Sequence, residues 1–213
     1  MRDPILTERT SSRDASPETR RRRPGRETAS LPPRDFARWM DSHRDELALR
    51  WLDDLRARDA MWSEEIEAMV GRFLDLLVAM LPGVLGPYRN QVEPLWIRTA
   101  ELFGSVAAQR GLAAGEAIEE FQLLRERLIR LLFRSPPVAG VGRMSLRDVL
   151  RLNRVVDQGV THASVGHTDV LFFALFRGSG VPEALDAEVR AEVELQLDEI
   201  RAEFDTVMAA LQS

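Results

Sequence analysis

Between Ala114 and Val165, bulky apolar residues recur at helical spacing on both sides of a proline- and glycine-rich corner, and this pattern restricts the chain more than any other feature. Ile118, Phe121, Leu124, Leu128 and Leu132 line one face of a 3.6-residue helix. Pro136, Pro137, Gly140 and Gly142 break the pattern, and Leu146, Val149, Leu150, Leu152, Val156 and Val160 restart it. Two such ridges must each be covered, so the sequence predicts an antiparallel helix pair with further helices packed on it. No window alternates polar and apolar residues with β-branched enrichment long enough for a competing strand.

The same period extends in both directions. Pro32 and Pro33 mark a helix entry, followed by Phe36, Trp39, Met40, Leu47, Trp51, Leu52 and Leu55. Ser63 is placed to cap the next helix, with Glu64 and Glu65 favourable against its free amides. That helix would bury Ile66, Met69, Val70, Phe73, Leu74, Leu77 and Met80 and stop at Leu81-Pro82-Gly83. A further pattern begins around Pro94 and closes at Gly111. The second central helix would reach Phe176 only if Gly159 and Gly166 are tolerated inside it. Gly178-Ser179-Gly180 ends it, and Pro182 stands near the start of a last, acid-rich helix running towards Leu211. The expectation is an all-α protein: a single helical-bundle or globin-like domain of six to seven helices. Residues 31–181 form its core, residues 182–213 a long helix packed on the core or on a partner, and residues 1–30 a disordered tail. Eight arginines against five acids and few large apolar groups give that tail too little to bury.

Composition removes several classes of function. The chain has no cysteine, and every one of its 29 basic residues is arginine, so thiolate and lysine Schiff-base chemistry are excluded from these residues. A formal charge of -5 argues against nucleic acid as a partner. The longest apolar run, Val170 to Phe176, is about two helical turns, far short of a membrane span. A cytoplasmic protein is expected, with a peripheral position at a membrane left open. None of the common nucleotide, zinc-protease, hydrolase, kinase or calcium motifs occurs, so the expectation is a non-enzyme without cofactor.

The remaining candidates are sites of contact. Arg20, Arg21, Arg22 and Arg23 form a basic run that serves either as a solubilising tail or as an arm for an acidic protein face or anionic lipid headgroups. Phe172 and Phe173 are adjacent and cannot both face inward, so one of them is a candidate for an interface or a pocket. Arg125, Arg127, Arg130 and Arg134 interleave with Glu119, Glu120 and Glu126, which reads as a salt-bridged solvated face or an anion site. Trp39, Trp51, Trp62, Trp96, Phe103, Phe121, Phe133, Phe172, Phe173 and Phe176 fit a helical core, or else line a cavity. His43 falls on a polar face. His162 and His167 lie about 140° apart on a helix, a poor metal pair. One of them reads as partly buried and the other as solvent-facing, with haem ligation as the second reading if Phe172, Phe173, Phe176 and Trp96 make a dry pocket.

The segment Glu119 to Leu132 (EEFQLLRERLIRLL) and the segment Leu152 to Val160 (LNRVVDQGV) resemble the RsbRD N-terminal domain family, found in stressosome co-antagonists and at the head of some histidine kinases. The resemblance covers about Leu31 to Val165. It implies an all-helical, globin-like, non-catalytic domain, dimeric in its family, that senses an input or passes a signal by contact. The family's usual output module is not among these residues, so such a domain would act on a protein partner, as a regulatory or sensory unit. The alternative expectation is an accessory structural subunit docked through its N-terminal tail on a larger complex, which could be membrane-attached. A homodimer is compatible with both.

Overall fold

The computed structural model describes residues 30–58, 62–137 and 145–212. Among them are seven helices and no strand: α1 (Pro33–Asp41), α2 (Arg44–Arg58), α3 (Glu64–Leu85), α4 (Arg89–Gln109), α5 (Ala114–Arg134), α6 (Leu146–Phe176) and α7 (Ala187–Gln212). The all-helical expectation is met, and Ser63 caps α3 through a hydrogen bond from the Ile66 amide. The expected tail and its Arg20 to Arg23 lie outside the described residues.

α3 occupies the centre. It is long and apolar enough to cross a membrane by length and composition, but 72% of that stretch is buried inside the bundle, as in a core helix. It does not stop at Leu81-Pro82-Gly83. Pro82 lies in its last turn, and the helix continues to Leu85. Gly83 is needed there for proximity to α4, since a Cβ would come within 2.7 Å of Val92. α4 likewise starts earlier than expected, at Arg89, with Pro94 in its interior.

Trp51, Phe73, Phe103 and Phe121 bring α2, α3, α4 and α5 together, with ring centroids 5.5 to 6.3 Å apart. Such pairs contribute about 1 kcal/mol each beyond burial of their area. The Trp51 indole N–H donates to the Glu120 carbonyl at 2.8 Å, which satisfies its polar edge in the core. α7 begins at Ala187 rather than at Pro182, because Asp186 accepts the amides of Glu188 and Val189. Val193, Leu197, Ile200 and Phe204 then bury against the core.

The closest helix pair is α4 with α6 rather than the α5–α6 pair emphasised by the sequence pattern. A Cβ on Gly104 would sit 1.9 Å from the Ala163 carbonyl oxygen, and one on Gly166 would sit 1.9 Å from that of Glu101. Backbone touches backbone at both points, and Ser105 adds a hydrogen bond to the Gly166 carbonyl at 3.2 Å. A Cβ on Gly159 would meet the Phe121 ring at 2.7 Å. The two glycines that weaken helix propensity are therefore what lets α6 seat, and it runs unbroken for 31 residues. Close packing here outweighs the roughly 1 kcal/mol propensity penalty of each.

The restart ridge is also displaced. Leu146 and Leu150 are exposed, and the inner face of α6 is made by Leu152, Val155 and Val156. Buried polar groups complete the packing. Arg110 pairs with Glu120 at 3.0 Å with both side chains under 10% exposed, and its guanidinium covers the Trp62 ring at 4.8 Å. Asp148 accepts from Ser30 Oγ, the Leu31 amide, and the amide and hydroxyl of Ser145, which ties the chain before α1 to the start of α6.

Candidate interaction surface

α6 is capped at its start by the reciprocal Ser145–Asp148 bonds and clamped in its middle by Gly104 and Gly166. Its last two turns run Val170-Leu171-Phe172-Phe173-Ala174-Leu175-Phe176, a stretch with no charge to satisfy in water. Gly178, at φ 79°, then ends the helix in a Schellman arrangement: its amide bonds the Leu175 carbonyl at 3.0 Å, and the Ser179 amide bonds that of Ala174 at 3.1 Å. This stop places the next bulky residue, Val181, exposed beside the helix end.

Within the run only Ala174 is buried. Phe172 is 62% exposed, Phe173 58% and Phe176 82%, and Leu171 and Leu175 are exposed with them. Successive residues are 100° apart, so side chains 171, 172, 173, 175 and 176 cover more than half of the helix circumference. The Phe172 and Phe173 rings meet edge to face at 6.2 Å. Beside them is a groove of about 440 Å³, lined by Val170, Phe173, Ala174, Val181 and Pro182 and rimmed by Gln109, Arg177 and Glu183. Gln109 Oε1 is buried and has no hydrogen-bond partner. A contiguous apolar end with a polar rim is the form of a contact surface, since each phenylalanine left in water forgoes about 2 kcal/mol of burial.

The sequence singled out Phe172 and Phe173, of which one was to be free; both are. Leu171, Leu175, Phe176 and Val181 belong with them, and the charge-free run Val170 to Phe176 is the sequence signal for the first three. Of the ten aromatics assigned chiefly to the core, Trp39, Trp51, Trp96, Phe103 and Phe121 are buried and Trp62 is partly so. Phe133, Phe172, Phe173 and Phe176 are exposed, which corrects that assignment for four of them.

The histidines are all engaged. His43 Nδ1 lies 2.8 Å from the Trp39 carbonyl, with its ring half-buried against Trp39 rather than free in solvent. His162 Nδ1 is 2.8 Å from Glu101, at a partly exposed position. His167 is buried, and its Nε2 lies 2.8 Å from the Leu112 carbonyl. That geometry requires Nε2–H as the donor and leaves Nδ1 buried without a partner. Trp96 is in the core while Phe172, Phe173 and Phe176 are outside it, so the four do not assemble a haem pocket around either histidine. Among the described residues no group of three His, Asp or Glu is placed to hold a metal ion.

The arginines of α5 are paired throughout: Arg125 with Asp157, Arg127 with Asp54, Arg130 with Glu126 and Arg134 with Glu46. The Asp54 carboxylate beside it raises the Arg127 pKa above its usual value. This is the salt-bridged face of the two sequence readings, and it leaves no vacant anion site on α5.

No family model matches the chain, and neither a curated protein nor a solved structure matches it.

Proposed function

We propose that this protein is a non-catalytic regulatory domain that works by protein contact through the C-terminal end of α6. The observation that carries the reading is the uncovered run Leu171 to Phe176, attached to a helix clamped rigidly into the bundle at Gly104 and Gly166. A stiff helix that ends in an exposed aromatic cluster transmits a contact at its tip to the core.

The test is a photo-crosslinking amino acid at position 172 in the native host, with the same group at Arg130, on the opposite-charge face of α5, as control. Crosslinking at 172 but not at 130 to a kinase or a regulator of sigma factors, abolished by Phe176→Glu, is the expected result. Fixed-ratio crosslinking to structural subunits of a larger complex would replace regulation with an accessory-subunit role. Equal yields at the two positions would overturn a contact role for this end of α6.

A further inference from the structure

The opposite end of α6 has the contrary chemistry. Arg147, Arg151 and Arg154 stand at i, i+4 and i+7, and so share one face of its first turns. That face meets Arg89, from the first turn of α4, around a cavity of about 640 Å³ closed by the segment Ser30 to Pro33 and by Leu150. Arg89 is held by Glu93 through two bonds of 2.9 and 2.8 Å. The hydrogen bond from Arg89 pulls the Glu93 pKa below the usual glutamate value, so this acid is ionised near neutral pH. Arg147, Arg151 and Arg154 form no ion pair among the described residues.

The absence of pairing sets this cleft apart from α5, whose four arginines each have an acid. Asp148, whose charge acts on Arg151, is fully buried, and its oxygens are taken by Ser30, Leu31 and Ser145. Four guanidinium groups against two carboxylates leave a surplus of two positive charges around one cavity. Arg151 is half-buried, and its guanidinium lies 5.9 Å from the Phe36 ring. Burial lowers its pKa from the usual arginine value; the Asp148 charge opposes that, and the charges of Arg147 and Arg89 add to it. Concentrating like charges on a partly desolvated wall is unfavourable unless an anion completes the site.

We propose that this cleft binds the phosphoryl group of a small phosphorylated ligand, held by Arg147, Arg151 and Arg154 with Arg89 at its edge. Guanidinium forks match the oxygens of a phosphate dianion in a bidentate manner, and in a chain without lysine they are the side chains that can do so. The cavity has room for more than a single phosphate, so a phosphoryl-bearing organic molecule or pyrophosphate fits as well. The inference is independent of the contact role at the other end of the helix.

The experiment is calorimetric titration of the full chain with pyrophosphate, inorganic phosphate and citrate in a chloride buffer. Pyrophosphate is expected to bind at one site per chain, with affinity falling about tenfold or more in Arg151→Gln and in Arg154→Gln. Arg130→Gln, which removes a paired arginine of α5, should bind as the parent does. If Arg151→Gln does not fold, judged by circular dichroism, the exposed Arg147→Gln takes its place. Tighter binding of pyrophosphate than of phosphate assigns two phosphoryl groups to the ligand, and equal binding assigns one. Citrate binding as tightly as either would overturn the phosphoryl assignment. No binding, or an equal loss in Arg130→Gln, would overturn the site itself.

Discussion

The two ends of α6 differ as much as two surfaces of one helix can. The N-terminal end presents to a walled cleft three guanidiniums that form no ion pair among the described residues, and the C-terminal end presents five bulky apolar side chains to open solvent. Between them, for about two turns, the helix has no freedom: Ala163 and Gly166 touch the α4 backbone at Gly104 and Glu101. The difference teaches where this fold concentrates stability and where it leaves surface for other use. The middle of α6 is stability. The outward faces of its ends contribute little to the core and carry chemistry that a solvated bundle would not retain for packing alone.

The comparison can be broken most severely in the middle. Gly166→Val would drive a side chain into the Glu101 carbonyl, and the expected result is a loss of about 3 kcal/mol or more, measured by urea denaturation. A fold unaffected by this change would mean that the clamp does not hold α6. Of comparable but smaller size, Arg110→Ala removes the counter-charge of a buried carboxylate and the cover of Trp62, at about 3 kcal/mol. Arg130→Ala, an exposed pair on α5, should stay within about 0.5 kcal/mol by the same measurement.

The anchor of the basic end is sharpened by pH. Burial works to raise the Asp148 pKa, but the hydrogen bonds from Ser30, Ser145 and Leu31 outweigh it and bring the folded value below that of a free aspartate. A depressed folded pKa means the stabilisation is fully present above the unfolded value of about 4 and is lost as pH falls through the folded value. Acid titration of stability should therefore show a drop below about pH 4 that Asp148→Asn flattens.

An effect as small as that of Arg130→Ala is expected at the apolar tip. The double change Phe172→Ser, Phe176→Ser should alter stability by less than about 0.5 kcal/mol, because both rings are already in water. The same variant should bind less of a hydrophobic dye such as ANS than the parent. A loss of more than 1 kcal/mol, by the usual range for core truncation, would place these rings in a packed core after all.

Much of the fold was legible from local chemistry. The ridge Phe121, Leu124, Leu128 and Leu132 is buried as its spacing demands, and Ser63 caps α3 because a hydroxyl before two glutamates satisfies orphan amides wherever the helix lies. Two of the six residues of the candidate surface were legible too, since two adjacent phenylalanines cannot both turn inward. Leu146 and Leu150 were not legible as exposed residues, because periodicity gives the spacing of a ridge and not which side meets the core. Nor was the arginine cleft. The spacing of Arg147, Arg151 and Arg154 sets a face, but Arg89 lies some sixty residues away and joins only when α4 packs on α6.

By itself, then, the sequence determined that the chain is helical, where most helices begin, and which residue types were missing from its chemistry, since these depend on neighbours within a turn or two. Tertiary structure alone decided the meaning of Gly104, Gly159 and Gly166. As isolated residues they weaken a helix; in contact they are the points at which α4 or the Trp96 and Phe121 rings approach α6 more closely than any side chain would allow. It also decided which arginines are paired. A charge finds its partner across helices, at distances that no local pattern encodes.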